Sequence, residues 1–368
     1  MTHVLVVGGG FAGCAISDML AKKDGFDVTL IEQAPFLGGG CKTFFYGGHP
    51  YTFGPRHFLT KKEKVYQYLN ERCPMKLYDG HRFLTYVEGD QAFYHFPIHY
   101  DEVKGMPDAN LILKELGEVP GATGAKNLEE YWLRSVGETL YQKYIEKYSR
   151  KMWGIESNTE ITDYGFTPKG VALKTGESKA AWTEAIAGFP RALNGYDDYF
   201  DRSTADVNVR LNVRITDFDM EKYRVKVDDA WESYDMIFST ISPEVILNNA
   251  FGELRWAGRD FFKIVMPSEQ ILPDEVYFLY YANDEPFTRI VEYKKFYDYH
   301  SPTTLLGLEI PSTRNKLYPF PMKKDQDIHQ QYMDALPKKV FSIGRMGTYR
   351  YLDIGMIIDQ CMGLIAEL

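Results

Sequence analysis

The sequence predicts an α/β fold in which a doubly wound parallel sheet is interrupted by a mainly helical segment and an antiparallel sheet. The chain opens on an apolar strand, a glycine-rich turn and a helix. Several β-rich runs fill residues 275–310, and the last segment again joins a strand, a glycine and a helix. The first and last segments are therefore expected to close one sheet around an insertion.

The composition is that of an ordinary globular chain of 368 residues with a net charge of −9. This charge argues against a nucleic-acid partner, because phosphate backbones select basic surfaces. The four cysteines show no CxxC pairing, so we expect neither a metal site nor a disulfide framework, which suits the cytoplasm. We also expect no signal peptide and no membrane span, because no apolar run approaches the roughly 18 residues that a spanning helix needs.

A dinucleotide-binding motif follows the first strand. Residues 3–7 are a continuous apolar run, residues 14–23 are typical of a helix, and residues 27–31 form a second strand that ends at Glu32. The turn between them has the spacing G-x-G-x-x-G, formed by Gly8, Gly10 and Gly13. Glycines let the backbone approach a pyrophosphate at a helix N-terminus, and the acid can accept hydrogen bonds from a ribose.

Two further segments can bring backbone close to a ligand. The cluster GGGCKT at residues 38–43 is either a second close approach or a flexible loop. Near the end, the strand VFSI meets Gly344-Arg345, and a helix begins near Asp353. A helix N-terminus in that position suits a second cofactor contact.

The longest helical pattern covers residues 127–152, where Asn127 can cap the first turn. The segment 161–190 is irregular and contains Gly165 and Gly170, so it is either a mobile lid or an ordinary long loop.

Several segments together resemble the UDP-galactopyranose mutase family. They are GGGFAG, NLEEYWLRSVGETLYQKYIEKYSRKMWG, PFTRIVEYKKF at residues 286–296, LYPFP at 317–321 and GRMGTYRYLD at 344–353. They occur in the family's order and cover nearly the whole chain. The helix that ends in Trp-Gly and the arginine strand are specific, whereas the glycine turn is shared with many flavoproteins.

The resemblance implies a Rossmann-like FAD-binding domain with an inserted helical domain and an antiparallel β-sheet domain. The expected boundaries are 1–75 plus 190–250 plus 320–368 for the FAD-binding domain, 76–160 for the helical domain, and 161–189 plus 251–319 for the sheet domain with its mobile loop. It also implies reduced FAD, with NADH or NADPH as the reductant, and allows a homodimer.

The resemblance further implies an isomerase that interconverts pyranose and furanose forms of a nucleotide sugar. In this family, N5 of reduced FAD attacks the anomeric carbon and displaces the nucleoside diphosphate. The covalent adduct opens and recloses through a different hydroxyl, with no net redox change. Because the cofactor is the nucleophile, the protein supplies position and charge.

Motif by motif, the resemblance assigns three groups of site residues. The cofactor contacts are Gly8, Gly10, Phe11, Gly13, Glu32, Gly39, Gly40, Arg345, Asp353 and Ile354. The catalytic residues are Arg56, His57, Arg289, Tyr318 and Tyr351. The substrate contacts are Tyr144, Tyr148, Trp153, Lys174, Arg289, Tyr318 and Tyr351.

Each group also has a structural interpretation. Arg289 and Arg345 suit the diphosphate because a guanidinium binds phosphate through two parallel hydrogen bonds, but they can also be structural charges. The tyrosines can be core residues, and the helix aromatics can form a packing face. Asp353 can be a helix cap. Lys174 falls where the family has a mobile-loop arginine, and lysine cannot make the same paired contact.

The stretch FGPRHFLT at residues 53–60 departs most from the family. The family has histidines where this chain has Arg56 and Leu59, and His57 aligns with a position that is not histidine in the family. Arg56 has three interpretations: contact with a differently substituted sugar, such as an N-acetyl or deoxy sugar; tuning of the flavin; or neutral loop drift. The substrate is therefore expected to be a UDP-sugar other than, or in addition to, UDP-galactose, such as UDP-N-acetylgalactosamine or a deoxy sugar.

Two other functions remain open on this sequence. One is a flavin-dependent oxidoreductase of the amine-oxidase type, which the same fold can support. The other is a nucleotide-sugar-binding relative without catalysis, since fold alone does not prove activity.

Overall fold

The structure, a computed structural model, describes residues 1–162 and 173–368. Numbered in chain order, the strands are β1 Thr2–Val7, β2 Phe26–Ile31, β3 Phe44–Tyr46, β4 His49–Tyr51, β5 Phe58–Thr60, β6 Met75–Leu77, β7 Arg82–Val87, β8 Ala92–Phe96, β9 Ile98–His99, β10 Leu173–Lys174, β11 Ile186–Pro190, β12 Asn208–Arg210, β13 Asp217–Asp219, β14 Arg224–Val227, β15 Ala230–Ser233, β16 Met236–Ser239, β17 Trp256–Met266, β18 Val276–Tyr281, β19 Arg289–Glu292, β20 Thr304–Ser312, β21 Tyr318–Pro319 and β22 Val340–Ser342.

The α-helices, numbered in the same way, are α1 Phe11–Ala21, α2 Glu63–Arg72, α3 Tyr100–Val103, α4 Ala109–Glu118, α5 Leu128–Val136, α6 Glu138–Tyr141, α7 Lys147–Trp153, α8 Asp197–Ser203, α9 Pro243–Ile246, α10 Lys323–Asp334, α11 Gly344–Gly347 and α12 Ile354–Glu367.

A parallel sheet forms the first layer, and among the described residues its strand order is β12-β2-β1-β16-β22. The last four residues of β1 are buried, as expected for a strand covered on both faces. Because the strands are parallel, their carboxyl ends meet at one edge. That edge brings together the glycine turn after β1, Glu32 after β2, Thr240 after β16 and Gly344 beyond β22.

A larger, mainly antiparallel sheet forms the second layer, with the order β21-β17-β20-β19-β18-β7-β8 within the described ranges. Only the β18–β7 pair in it is parallel in that part of the chain. Strands β7 and β8 lie in this sheet, although they fall in the 76–160 range that was predicted to be mainly helical. The alternating burial of β7 gives the physical reason, since every second side chain faces the core.

The helical pattern over residues 127–152 is broken into α5, α6, a π-helical turn at 142–146 and α7. Asn127 caps α5 by accepting a hydrogen bond from the Glu130 amide at 2.9 Å. Gly137 separates α5 from α6 with a φ of 84°, a value that glycine adopts without steric cost.

The predicted irregular segment 161–190 is only partly described. Gly165 and Gly170 lie outside the described residues, so the mobile-loop prediction is not tested there. The segment beyond them contains β10, which pairs with β9, and β11, which pairs with β5 and β6. In the two described ranges, no helix combines the length and apolar character needed to cross a membrane.

Candidate active site

A cavity of about 460 Å³ is lined by residues from both layers. The predicted site residues that line it are Gly10, Phe11, Gly40, Arg56, His57, Arg289, Tyr318, Arg345, Tyr351, Asp353 and Ile354. The predicted residues that do not line it are Gly8, Gly13, Glu32, Gly39, Tyr144, Tyr148, Trp153 and Lys174. The structure thus brings most of the proposed catalytic and cofactor residues to one place.

The glycine turn after β1 is held by Glu32. Its two carboxylate oxygens accept hydrogen bonds from the amides of Gly9 and Ala34, each at 2.7 Å. Gly8 has a φ of 95°, which glycine tolerates best. At Gly10, no described atom lies within 4 Å of the position that a Cβ would take, so the backbone there faces the open cavity.

The second glycine cluster packs beside this turn. The Gly38 amide donates to the Gly9 carbonyl at 2.7 Å. A short helical turn at Gly39–Cys41 follows, and Gly40 and Cys41 line the cavity. The backbone of this segment is therefore bonded to the first glycine turn, as a second close approach requires.

Arg56 lies against the second glycine cluster. Its Nε donates to the Gly40 carbonyl at 3.0 Å, and the Arg56 carbonyl accepts a hydrogen bond from the Tyr196 hydroxyl at 2.8 Å. Within the stretch FGPRHFLT, Arg56 is thus fixed by hydrogen bonds of both its backbone and its side chain. Leu59 also lines the cavity, and its carbonyl packs against Gly355 at the start of α12.

A buried ion pair forms one wall. Arg289 on β19 donates to both oxygens of Glu309, from Nε at 2.9 Å and from Nη2 at 2.6 Å. The two residues face each other in the β19–β20 register, and the Glu309 side chain is 1% exposed. Burial lowers the pKa of Arg289, but the Glu309 carboxylate outweighs it and holds the pKa well above its usual value. The guanidinium is therefore permanently charged and fixed in orientation.

Two stacked tyrosines stand beside the arginines. The rings of Tyr318 and Tyr351 are 5.8 Å apart and nearly parallel. The guanidinium carbon of Arg345 lies 4.7 Å from the Tyr351 ring centre, and that of Arg259 lies 5.0 Å from the Tyr318 ring centre. Burial raises the pKa of Tyr318, but the charges of Arg56, Arg259 and Arg289 together outweigh it, so the net pKa is lowered. Burial raises the pKa of Tyr351.

His57 belongs to an aromatic cluster at the cavity. Its ring centre is 4.5 Å from that of Trp182, which in turn lies 4.9 Å from His81. Burial lowers the pKa of His57 well below its ordinary value, and the charges of His81, Arg289 and Arg56 lower it further. His57 is therefore neutral near pH 7.

Asp353 acts as a helix cap, in agreement with its structural interpretation. Its carboxylate accepts a hydrogen bond from the Met356 amide at 2.8 Å at the start of α12. Burial raises the pKa of Asp353. The cap and Ile354 also line the cavity, so the N-terminus of α12 faces it.

The structure does not bring the helix aromatics to the cavity. Tyr144 is fully buried, and its hydroxyl has no hydrogen-bond partner among the described residues. Tyr148 contacts the edge of Tyr280, and Trp153 contacts the edge of Tyr318, each from behind the cavity wall. Aromatic residues at helical spacing form the packing face of a helix, which is the physical reason that they do not line the cavity; their contact with substrate stays a prediction.

Lys174 is also outside the cavity lining. It lies on β10, and its amine donates to the Ala180 carbonyl. Burial lowers the pKa of Lys174. In this arrangement the amine is used within its own loop rather than directed at the cavity.

Three residues that sequence reasoning missed complete the site. Glu309 neutralises Arg289, Arg259 is 2% exposed beside Tyr318, and Trp182 forms the wall next to His57. The strand alternation of TTLLGLEI offered a signal for Glu309, because a charge at an inward position of a strand needs a partner. The sequence contains no comparable signal for Trp182.

These residues fit a flavin dinucleotide. The open space in front of Gly10, the acid that fixes the turn, and the second backbone approach at residues 38–41 suit a pyrophosphate and its flanking groups. In the described ranges, no group of His, Cys, Asp and Glu side chains is arranged to hold a metal ion.

The parallel sheet, the glycine turn and the cavity that adjoins them define the class of α/β dinucleotide-binding proteins. Comparisons with known proteins identify the family. The model of the UDP-galactopyranose mutase family matches residues 143–351, and that of an NAD(P)-binding Rossmann-like domain matches residues 6–72.

Two similar curated proteins cover nearly the whole chain. The dTDP-fucopyranose mutase of Escherichia coli is 25% identical over 98% of this chain and 97% of its own length. The probable UDP-galactopyranose mutase of Klebsiella pneumoniae is 24% identical over 98% of this chain and 93% of its own. A crystal structure of reduced UDP-galactopyranose mutase superposes with a TM-score of 0.83 at 15% identity, covering 99% of this chain and 96% of that one, which shows a common fold.

The chain belongs to the UDP-galactopyranose mutase family. Its class is that of the nucleotide-sugar pyranose mutases, which are isomerases.

Proposed function

We propose that the protein interconverts the pyranose and furanose forms of a nucleotide-diphosphate sugar, with reduced FAD as its cofactor. The observation that carries the proposal is a cavity that combines the glycine turn with Arg56, Arg289 and the stacked Tyr318–Tyr351 pair. When bound and reduced, the flavin would supply the nucleophile that displaces the nucleoside diphosphate from the anomeric carbon of the sugar.

The protein's own residues bind and stabilise the diphosphate. Arg289 presents a fixed positive charge, because Glu309 holds it by two hydrogen bonds. Arg259 adds a second charge behind Tyr318, and the tyrosine hydroxyls offer hydrogen bonds in a buried setting. Charges that are in place before the reaction stabilise the leaving diphosphate without reorganisation.

His57 and the aromatic residues of the cavity shield and orient the sugar. His57 is neutral, so its ring nitrogens can donate and accept one hydrogen bond each to sugar hydroxyls. Trp182, Phe278 and Tyr280 add apolar surface to the cavity, which helps to exclude water. Arg56 faces the same cavity and is positioned to set sugar preference.

The substrate we propose is a nucleotide sugar other than, or in addition to, UDP-galactose. An N-acetylated or deoxy sugar fits the replacement of two family histidines by Arg56 and Leu59. The similarity to a dTDP-fucopyranose mutase supports the deoxy sugar, since fucose is a 6-deoxy sugar. The reductant we propose is NADH or NADPH, and a homodimer in the cytoplasm stays a prediction.

The test uses FAD-loaded enzyme reduced with dithionite and three nucleotide sugars: UDP-galactose, UDP-N-acetylgalactosamine and dTDP-fucose. Chromatography separates pyranose from furanose products. We expect a furanose product from at least one of the modified sugars. Absence of furanose product from all three, with FAD bound and reduced, would contradict the proposal.

Two measurements separate the alternatives. An oxidoreductase would reduce oxidised FAD stoichiometrically with its substrate, whereas a mutase leaves the flavin spectrum unchanged at the end of turnover. A binding protein would retain FAD and the nucleotide sugar without forming product.

The variant Arg56→His tests specificity, because it is expected to shift preference toward UDP-galactose or to abolish turnover with FAD still bound. Unchanged preference and rate would show that Arg56 does not act on the sugar.

A further inference from the structure

The guanidinium of Arg56 is held at the cavity by a glycine. Its Nε donates to the Gly40 carbonyl at 3.0 Å. Behind it, the fully buried Tyr196 donates to the Arg56 carbonyl at 2.8 Å and fixes the backbone. The position of the guanidinium is therefore set by the protein before any ligand arrives.

Gly40 has no backbone reason to be glycine. Its φ lies outside the left-handed region, so an alanine can adopt the same conformation. The neighbouring Gly39 is different, since its φ is 52°. A requirement for glycine at residue 40 must therefore come from the lack of room for a side chain there.

The space beside Gly40 is taken by Arg56. A Cβ at residue 40 would lie 3.3 Å from Nη2 and 3.9 Å from Cζ of Arg56, and no other described atom is within 4 Å. A contact of 3.3 Å is tighter than ordinary packing, so the guanidinium would have to move. It cannot move freely, because the bond from its Nε ends on the carbonyl of the same residue.

We propose that Gly40 is a positioning residue for sugar specificity, whose missing side chain admits the Arg56 guanidinium to the cavity. This inference rests on the proposed function, in which Arg56 acts on the sugar. It gives Gly40 a role distinct from contact with the cofactor, which was its role in the sequence-based prediction. Residues 40 and 56 then form a pair that can change only together.

The test is a double-mutant cycle on FAD-loaded enzyme: wild type, Gly40→Ala, Arg56→His and the double variant. We expect Gly40→Ala to lower kcat/KM for the preferred nucleotide sugar about tenfold or more, the loss expected for a displaced charge-assisted hydrogen bond. In the Arg56→His background, the same change should alter kcat/KM less than about twofold, because the crowded group is gone. Gly363→Ala is the matched control, since no described atom beyond its neighbours and its own helix backbone lies within 4 Å of its Cβ position.

Two further readouts do not depend on turnover. The affinity for FAD, from the quenching of its fluorescence, is measured in both backgrounds, and any loss in Gly40→Ala should disappear in the Arg56→His background. The midpoint of urea unfolding should fall in Gly40→Ala and recover in the double variant, or in Gly40→Ala combined with Arg56→Ala if the histidine variant does not fold. This recovery is measurable even if no sugar is turned over, so failure of the proposed function is distinguishable.

Equal losses of FAD affinity in both backgrounds would overturn the inference and show that Gly40 contacts the cofactor. Equal losses of kcat/KM and stability in both backgrounds would also overturn it, because the effect would not depend on Arg56. A Gly40→Ala enzyme that behaves as wild type would show that the guanidinium needs no space at residue 40.

Discussion

Replacing Glu309 by glutamine is expected to lower the free energy of unfolding by about 3–5 kcal/mol, because it leaves the buried guanidinium of Arg289 without its counter-charge. The structure supports this magnitude. The Glu309 side chain is 1% exposed and that of Arg289 is 16% exposed, and the two hydrogen bonds measure 2.9 and 2.6 Å. Two unit charges about 4 Å apart at an effective dielectric constant of about 20 interact by roughly 4 kcal/mol.

The assay is urea unfolding of the FAD-loaded protein, followed by far-ultraviolet circular dichroism. The double variant Glu309→Gln/Arg289→Met should cost clearly less than the sum of the single variants, since no uncompensated charge remains. Glu292→Gln is the matched control. Glu292 is a fully buried acid on the same strand pair that accepts hydrogen bonds from the Leu272 amide and the Thr304 hydroxyl, so its loss should add to Arg289→Met without coupling. A cost below about 1 kcal/mol for Glu309→Gln, or additive costs in the double variant, would refute the reasoning.

Burial lowers the pKa of His81 from 6.5 to about 4. Between these two pH values the unfolded chain therefore binds a proton at His81 and the folded chain does not. The contribution of neutral His81 to the free energy of unfolding is fully present above pH 6.5 and falls by about 3 kcal/mol as the pH drops to 4. Urea unfolding at several pH values should show a flatter pH dependence for His81→Phe. The control is the exposed His300→Phe, which should keep the pH dependence of the wild type. Arg259→Met should raise the pKa of Tyr318 and raise KM for the nucleotide sugar about tenfold or more, as steady-state kinetics would show, because the positive charge behind Tyr318 is lost. The exposed Arg314→Met is its control, and an unchanged KM for Arg259→Met would place that charge outside the substrate site.

The part of the site that could be predicted from sequence is the part made by local chain geometry. The turn at Gly8 and Gly10 and the acid Glu32 have a fixed spacing, because one βαβ unit brings them together. The cap at Asp353 is likewise a contact between residues three apart. The resemblance then added Arg289 and Tyr318, which the structure places in the same cavity.

Partners that are distant in sequence could not be predicted in the same way. Glu309 meets Arg289 only through the register of β19 and β20, and Arg259 is buried only because the chain after β20 folds over it, as the contact of Asn315 with its carbonyl shows. Neither contact can be recognised from the spacing of residues in the sequence, since strand register is decided by the packing of the whole sheet.

For the helix aromatics, the sequence predicts the local geometry but not the surface that they contact. The spacing of Tyr144 and Tyr148 correctly indicates that they share a face, but a sequence does not say what that face meets. In the structure, Gly137 and the π-helical turn at 142–146 break the helix, and the face packs behind the cavity wall. Tyr148 and Trp153 contact Tyr280 and Tyr318, which line the cavity, and a direct contact of the helix aromatics with substrate stays a prediction.

Three arginines line the cavity, Arg56, Arg289 and Arg345, and a fourth, Arg259, packs against the Tyr318 ring; the hydrogen-bond partners of the four suggest how the site works. Arg289 is already neutralised by Glu309, so an arriving diphosphate gains mainly a fixed donor from it. In the described part of the chain, the guanidinium groups of Arg56, Arg259 and Arg345 hydrogen-bond to backbone carbonyls rather than to carboxylates. Their charges are uncompensated by ion pairs, and a buried charge without a counter-ion is costly. An anionic ligand relieves that cost, which favours a diphosphate over a neutral sugar at this site.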